Sequence, residues 1–130
     1  MQYALDSDWA IEYLRGNERF VGRIASLLPS GIGISVITLA ELYDGVAAAD
    51  NPIESERELI AFVNRLTLLS VDPEVARIFG FQRRRLRRAG ERVEDMDLLI
   101  GATALPHGLT LLTNNRRHFD RIPNLMVESI

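Results

Sequence analysis

The chain has 130 residues, 47% of them hydrophobic, which suits one globular domain with a single core. It contains no cysteine, so disulfide scaffolds, thiolate metal sites and cysteine nucleophiles are excluded. The net charge of −3 is too small to indicate an acidic tail or a uniformly basic nucleic-acid binder. All 15 basic residues are arginine, so chemistry that requires a lysine amine is excluded as well.

The first part of the chain predicts one strand followed by two helices. Tyr3 to Leu5 is a short apolar run typical of a buried strand, and it ends abruptly at Asp6. Apolar residues at helical spacing predict helices over 9–14 and 18–28, with a break at Gly16-Asn17. Asp6 is therefore expected at the carboxyl end of the first strand.

A second strand and two further helices are predicted next. The β-branched and apolar run from Ile32 to Ile37 indicates a strand. Thr38 to Glu41 follows with the spacing of a capping box, in which Glu41 would pair with Thr38 at the start of a helix. Asn51-Pro52 breaks that helix and begins another, which extends to about Leu66.

The middle of the chain continues the alternation of strands and helices. Leu68 to Val71 is the third predicted strand, and Asp72-Pro73 caps a helix that stops at Gly90. Asp95 is predicted to be the N-cap of the apolar helix from Leu98 to Leu105.

The last third predicts a strand, a short helix and an edge strand. Leu109 to Leu112 is the fourth strand and ends at Thr113, the helix lies around 117–119, and Leu125 to Val127 is the edge strand. Regular alternation of strands and helices is typical of an α/β fold. We therefore expect one domain over residues 1–130, with three layers and a mainly parallel sheet of four to five strands.

The sequence carries no recognisable membrane or export signal. No apolar run approaches the roughly 20 residues that a membrane-spanning helix needs. The first residues, MQYALDSD, lack the basic stretch and apolar core of a signal peptide. A cytoplasmic protein with no membrane partner is expected.

Acidic and amide side chains fall at the junctions between predicted strands and helices. These residues are Asp6 after the first strand, Glu41 after the second, Asp97 before the fourth, and Asn114 and Asn115 after the fourth. In an open parallel sheet, ligands gather outside the carboxyl ends of the strands. Elements that are distant in sequence are thus expected to direct these side chains into one crevice.

Several carboxylates in one crevice predict a bound cation. They would repel each other and raise each other's pKa unless a positive ion neutralised them. Because thiolate ligands are absent, Mg²⁺ or Mn²⁺ is expected, since both prefer oxygen ligands. Phosphodiester hydrolysis suits such a site, because the metal activates a water and stabilises charge on the attacked phosphate.

Four short segments, spread over nearly the whole chain, form a specific series. They are Ala4-Leu5-Asp6-Ser7-Asp8, Ile37-Thr38-Leu39-Ala40-Glu41-Leu42, Asp95-Met96-Asp97-Leu98-Leu99-Ile100-Gly101-Ala102-Thr103-Ala104 and Gly108-Leu109-Thr110-Leu111-Leu112-Thr113-Asn114-Asn115. In this order, and with Phe119 near the end, they resemble the PIN-domain nucleases and, within them, the VapC toxins of toxin–antitoxin pairs. The resemblance implies a PIN-like α/β/α domain that acts as a metal-dependent endoribonuclease toxin.

The resemblance also implies partners and residue roles. Asp6, Glu41 and Asp97 would be the acidic metal ligands, and a metal-activated water would hydrolyse RNA. A homodimer and a small antitoxin protein are implied as partners. Glu41 as a structural cap and Glu41 as a ligand remain two alternatives at this point.

Two positions depart from the family pattern. Asn115 stands where many relatives place a further acid, although an Asn carbonyl can still ligate Mg²⁺ or orient a water. Asp8 stands where Asn is common. The residues expected to support the site are Ser7, Asp8, Asp95, Thr113 and Asn114.

Arginines are concentrated in two short stretches of the chain. Arg suits phosphate recognition, but a charged run of this kind is also typical of a solvated helix face, and both interpretations stand. The residues with a potential RNA contact are Arg83, Arg84, Arg85, Arg87, Arg88, Arg116 and Arg117. The last two follow Asn115 and are closer to the predicted crevice. The two histidines, His107 and His118, show no ligand spacing and are expected to be exposed.

Two other functions compete with the nuclease. Asp6-Ser7-Asp8 after a strand is also similar to the Asp pair of haloacid-dehalogenase-like phosphatases, but that family implies a phosphate-binding lysine and this chain has none. A non-catalytic module, in which the acidic crevice binds an arginine-bearing peptide, is the second alternative.

Overall fold

The strands form one parallel sheet, and the helices cover both of its faces. The computed structural model describes all residues, 1–130. The strands are β1 (Tyr3–Leu5), β2 (Ile32–Ser35), β3 (Thr67–Leu69), β4 (Thr110–Leu112) and β5 (Met126–Glu128). The helices are α1 (Ser7–Leu14), α2 (Glu18–Leu27), α3 (Val36–Ala47), α4 (Pro52–Val63), α5 (Pro73–Arg88), α6 (Asp95–Ala104) and α7 (Arg116–Phe119).

The strand order is β3-β2-β1-β4-β5, and every neighbouring pair is parallel. The predicted three-layer α/β/α fold with a mainly parallel sheet is therefore confirmed, with the sheet at the upper end of the expected size. The first strand lies at the centre, because β2 and β3 extend the sheet on one side of it and β4 and β5 on the other. None of the seven helices has the length and hydropathy that a membrane crossing requires.

Adjacent residues of the central strands supply two separate cores. Side chains alternate between the faces of a sheet, so Leu5 and Leu112 pack into one core with Trp9 of α1. Ala4 and Leu111 pack into the core on the opposite face. The strands are short and nearly fully apolar, as expected when both faces are covered.

The junction between β2 and α3 differs from the prediction. The strand ends at Ser35, and the helix begins at Val36 and not at Thr38. The reason is that Ser35 is itself the N-cap, with its hydroxyl accepting a hydrogen bond from the Thr38 amide at 3.0 Å. The predicted capping box is therefore wrong, and Glu41 lies in the second turn of α3, free of any capping role.

The start of α6 also differs from the prediction. Asp95 is the first helical residue and Glu94 occupies the N-cap position, which forms no side-chain cap hydrogen bond. The Asp95 carboxylate instead forms an ion pair with Arg83 of α5, at 2.8 Å. The assignment of Asp95 as the cap is therefore wrong, because this ion pair holds the side chain across the helix interface.

Candidate active site

The site lies where the chain reverses its direction across the sheet. The chain leaves β1 toward β2 on one side and later returns to place β4 on the other side. The carboxyl ends of the adjacent strands β1 and β4 therefore form the topological switch point of the sheet. Asp6 follows β1, and its amide donates to the Leu112 carbonyl at 3.1 Å. Thr113 follows β4, and its hydroxyl donates to Asp6 Oδ2 at 2.7 Å. The sheet itself therefore fixes the positions of these two side chains.

Asp6 is a buried acid, with only 4% of its surface exposed. Besides Thr113, the Ser7 amide donates to its carboxylate, at 2.8 Å. The pKa of Asp6 is raised from 3.8 to about 7, mainly by burial, with the two hydrogen bonds opposing the rise and the charges of Asp8 and Asp97 adding to it. A carboxylate in these surroundings is poorly compensated as an anion and favours a cation beside it.

Asp8 and Asn114 fasten α1 to the loop after β4. Asp8 Oδ2 accepts a hydrogen bond from the Asn114 amide at 2.8 Å, and Asn114 Oδ1 accepts one from the Trp9 indole at 3.0 Å. Burial raises the pKa of Asp8 as well. Both residues lie beside Asp6 and support the site, and Asn114 does so mainly through its contacts with the fold.

Glu41 approaches the site from α3. Its Oε1 atom is buried and has no hydrogen-bond partner in the protein. Burial raises the pKa of Glu41, the nearby Ser7 hydroxyl lowers it, and the charges of Asp97 and Asp8 raise it. An acidic oxygen that is buried without a donor is costly unless a ligand satisfies it.

Asp97, on the first turn of α6, is held from a different direction. Asp97 Oδ2 lies 2.6 Å from His118 Nδ1 and 3.2 Å from Asn115 Nδ2. The His118 side chain is only 15% exposed. The expectation of an exposed, uninvolved His118 is therefore wrong, whereas His107 is exposed as expected.

A chain of hydrogen bonds connects the two ends of the site. Thr113 Oγ1 donates to Asp6 and accepts from the Asn115 amide at 3.0 Å, and the Asn115 side chain donates to Asp97. Glu41 and Asp97 line one cleft of about 710 Å³. The structure thus brings Asp6, Glu41, Asp97 and Asn115 together at the carboxyl edge of the sheet, as predicted.

The donor set fits a hydrated Mg²⁺ or Mn²⁺ ion. No three carboxylate or imidazole groups are arranged closely enough to hold a metal by themselves. Mg²⁺ seldom needs such a cage, because it keeps several waters and takes one or two carboxylates together with substrate phosphates. Such an ion would give the buried Glu41 oxygen a partner and would neutralise the buried carboxylate of Asp6.

The arginines separate into those that line the site and those that do not. Arg83 and Arg87 line the cleft with Asp97, and Arg92 connects it to a second depression of about 460 Å³, which also contains Arg117. Other members of the predicted set lie elsewhere or are engaged by the fold. Arg84 and Arg88 are exposed outside both depressions, Arg85 donates to the Arg121 carbonyl, and Arg116 pairs with Asp120.

His118 is the residue in contact with the candidate site that the sequence did not predict. It lies three residues after Asn115, a spacing that places two side chains on the same helix face. That spacing was the available signal, but it becomes informative only once Asn115 is known to begin a helix. Arg92 and Arg121, which line the second depression, carried no sequence signal.

Comparison with known proteins agrees with this geometry. The PIN domain family model matches residues 3–125. The chain is 33% identical over 131 residues to the tRNA(fMet)-specific endonuclease VapC of Salmonella typhimurium, covering 98% of this chain and 97% of that protein. It is 36% identical over 124 residues to Ribonuclease VapC19 of Mycobacterium tuberculosis, covering 93% of this chain and 94% of that one.

Solved structures agree with the fold. The structure of VapBC2 from Rickettsia felis bound to a DNA fragment from their promoter has a TM-score of 0.92 at 30% identity, covering 100% of this chain and 99% of that chain. The DNA-bound VapBC structure from Salmonella typhimurium has a TM-score of 0.91 at 31% identity, covering 99% and 98%. The chain therefore belongs to the PIN-domain family, in the group of the VapC ribonucleases.

Proposed function

We propose that this protein is an Mg²⁺- or Mn²⁺-dependent endoribonuclease and the toxin of a toxin–antitoxin pair. The observation that carries the proposal is the approach of three carboxylates, Asp6 after β1, Glu41 on α3 and Asp97 on α6, with a buried Glu41 oxygen that no protein donor satisfies. Relatives that match most of this chain are named ribonucleases or endonucleases.

The residues of the site prepare it for phosphodiester hydrolysis. When bound, Mg²⁺ or Mn²⁺ lowers the pKa of a coordinated water and neutralises charge on the attacked phosphate. Asp6, Glu41 and Asp97 would hold the ion, while Thr113 and Ser7 orient the Asp6 carboxylate through its two oxygens. No side chain of the site needs to act as a covalent nucleophile.

Cleavage of RNA by the purified chain tests the activity. We expect cleavage in Mg²⁺ or Mn²⁺, and its loss in EDTA and in Asp6→Ala. Asp44→Ala is a matched control, because Asp44 is exposed on α3 and lies outside the cleft. Products with 2′,3′-cyclic phosphate ends would contradict the mechanism, since they would indicate attack by the ribose hydroxyl.

We further propose that Arg87 and Arg117 bind RNA phosphates on either side of the carboxylates. They lie in the two depressions, which share Arg92 and Glu94 and meet where His118 contacts Asp97. Neither Arg87 nor Arg117 forms an ion pair, so both guanidinium groups are available to a ligand. Arg83 is already paired with Asp95.

Binding of RNA in an Asp6→Asn background tests these contacts without cleavage. We expect Arg87→Gln and Arg117→Gln each to weaken binding across RNA sequences and to lower the salt dependence by about one released counterion. Arg84→Gln and Arg88→Gln are the matched controls, because they remove the same charge from the same region of α5 outside the cleft. Equal weakening by all four variants would indicate a diffuse electrostatic effect.

We also propose an antitoxin protein and a second copy of the chain as partners. Solved relatives are VapBC toxin–antitoxin structures. Ile53 and Ile60, two turns apart on α4, are 76% and 46% exposed and form an apolar face suited to self-association. Light scattering should give a dimer that Ile53→Asp with Ile60→Asp disrupts, and the product of a neighbouring short reading frame should bind and inhibit the nuclease.

A further inference from the structure

His118 forms the shortest side-chain contact with the carboxylates of the site. Its Nδ1 lies 2.6 Å from Asp97 Oδ2, and the two side chains are 15% and 17% exposed. An ionised carboxylate only accepts hydrogen bonds, so Nδ1 carries the proton and donates. The contact is therefore a charge-assisted hydrogen bond that is largely shielded from water.

The two donors around Asp97 act on the same oxygen. His118 Nδ1 and Asn115 Nδ2 both approach Oδ2, and no protein hydrogen bond reaches Oδ1. Because Nδ1 already donates its proton to Asp97, the 3.3 Å approach of Asn115 Nδ2 to Nδ1 is not a second hydrogen bond. The carboxylate is thus fixed through one oxygen, and its other oxygen has no protein partner, while Asp97 itself lines the cleft with Glu41.

The position of His118 is itself fixed by packing. Phe119, the next residue, is fully buried in the core beside α6. Gly101 of α6 leaves room for the turn that follows α7, because a Cβ at that position would lie 2.6 Å from the tip of the Ile122 side chain, whereas Phe119 at 3.5 Å would be in ordinary contact. Through Phe119 and Ile122, α7 and the turn after it are therefore packed against α6, and His118 is held with one side facing Asp97.

We propose that His118 is a positioning residue that orients Asp97, so that its free oxygen faces the metal. This inference rests on the proposed function, because it assumes a divalent ion between Asp97 and the other carboxylates. Partners that orient a metal-ligating carboxylate typically contribute roughly 10- to 100-fold to metal affinity. His118 acts through Asp97 and needs no contact with the RNA or the ion.

Mn²⁺ binding to the full-length chain, followed by electron paramagnetic resonance, tests the role without relying on activity. We expect His118→Ala to weaken Mn²⁺ binding roughly 10- to 100-fold. His118→Asn should recover most of the affinity, because its Nδ2 occupies the place of Nδ1. His118→Gln should not, since its amide reaches only the place of Nε2. The matched control His107→Ala removes an exposed histidine and should bind Mn²⁺ as the unmodified chain does.

Each outcome separates the inference from its alternatives. Equal Mn²⁺ affinity in His118→Ala and the unmodified chain would overturn the positioning role while leaving the nuclease intact. Equal losses in the Asn and Gln variants would also overturn it, because they would assign the effect to charge or packing. If the unmodified chain binds no Mn²⁺ while cleaving RNA in EDTA, the proposed metal dependence fails first. Melting temperatures identify any variant that loses Mn²⁺ affinity because it unfolds. If His118→Ala does not fold, the comparison of His118→Asn with His118→Gln still decides the result.

Discussion

The two ends of the acidic site are built in opposite ways. Asp6 is almost fully buried and is held by a backbone amide and by Thr113, which directly follows the neighbouring strand β4. Asp97 is partly exposed and is held by side chains alone, His118 and Asn115, which come from the short α7 region. We call the part of the site at Asp6 the strand end and the part at Asp97 the helix end. The strand end is fixed by the sheet, and its carboxyl is costly to ionise, whereas the helix end depends on how α6 and α7 pack.

Neutralising either carboxylate should give the largest effect and the clearest contrast. We expect Asp6→Asn and Asp97→Asn each to reduce RNA cleavage by at least about a hundredfold, because metal-supplied stabilisation amounts to several kcal/mol. Their stabilities should differ. In EDTA at pH 8, Asp6→Asn should melt above the unmodified chain, since it removes a buried charge, while Asp97→Asn should melt below it, since it weakens the charge-assisted hydrogen bond with His118.

Initial cleavage rates and thermal melts check both parts. In Asp6→Asn, the Thr113 hydroxyl can accept a hydrogen bond from the introduced side-chain amide and turn its own proton toward Asp8 Oδ2, 3.5 Å away. Activity retained by Asp97→Asn at matched metal concentration would remove Asp97 from the site. A lower melting temperature for Asp6→Asn at pH 8 would show that burial of this charge does not carry the inferred cost.

The strand end should also give the metal-free protein a characteristic pH dependence. The pKa of Asp6 rises from 3.8 to about 7 on folding, so the folded state holds a proton that the unfolded state has lost. Stability from this group is complete below about pH 4 and disappears as the pH rises through about 7. Between pH 5.5 and 8 the loss should be on the order of 2 kcal/mol.

Urea unfolding in EDTA at several pH values measures this loss. Asp6→Asn is the control, because the difference between its profile and that of the unmodified chain isolates Asp6 from the other titrating groups. Saturating Mn²⁺ should reverse the trend, since the metal competes with the proton and binds more tightly as the pH rises. Parallel profiles for the two proteins would contradict the raised pKa.

The same contrast explains what the sequence could predict. Asp6 and Thr113 follow apolar strands whose pattern is local, and parallel strands bring their carboxyl ends to one edge, so their meeting was predictable. Family resemblance placed Glu41 and Asp97. The contact of His118 with Asp97 was not predictable in this way, because it depends on how Phe119 and the turn after α7 pack against α6.

The wrong helix starts have a related cause. Ser35 and Thr38 are both good N-cap residues, and local propensity does not decide between them. In the structure Ser35 is the N-cap, because β2 ends there and its hydroxyl accepts a hydrogen bond from the Thr38 amide. Asp95 is a suitable cap by type, yet Arg83, 12 residues earlier, draws its carboxylate away. A local sequence pattern does not reveal long-range partners of this kind.

A methyl group added where α6 packs against α7 should disturb the helix end of the site and leave the strand end unchanged. Gly101→Ala places a Cβ 2.6 Å from Ile122, and overpacking of this kind costs about 1–3 kcal/mol. Gly22→Ala is the matched control, because Gly22 lies in α2 with nothing within 4 Å of the added Cβ. The control should be neutral or stabilise the chain.

We expect Gly101→Ala also to weaken Mn²⁺ binding, because the methyl group displaces the buried Ile122 side chain that packs beside α7 and so disturbs the support of His118. Denaturant unfolding and Mn²⁺ titration check the two effects separately. An unchanged Mn²⁺ affinity, together with a clear loss of stability, would show that α7 can shift without disturbing the site. That result would indicate that α6 alone determines the orientation of the Asp97 side chain.

The smallest effect is expected at the exposed ion pair between Arg83 and Asp95. Its guanidinium and carboxylate are 37% and 57% exposed, and surface pairs of this kind contribute about 0–1 kcal/mol. Arg83→Gln should therefore lower the free energy of unfolding by less than about 1 kcal/mol, and by less still in 1 M salt. Arg84→Gln, which breaks no ion pair, is the control. A loss above that range would mean that the pair anchors the start of α6, and the helix end would then depend on α5 as well as on α7.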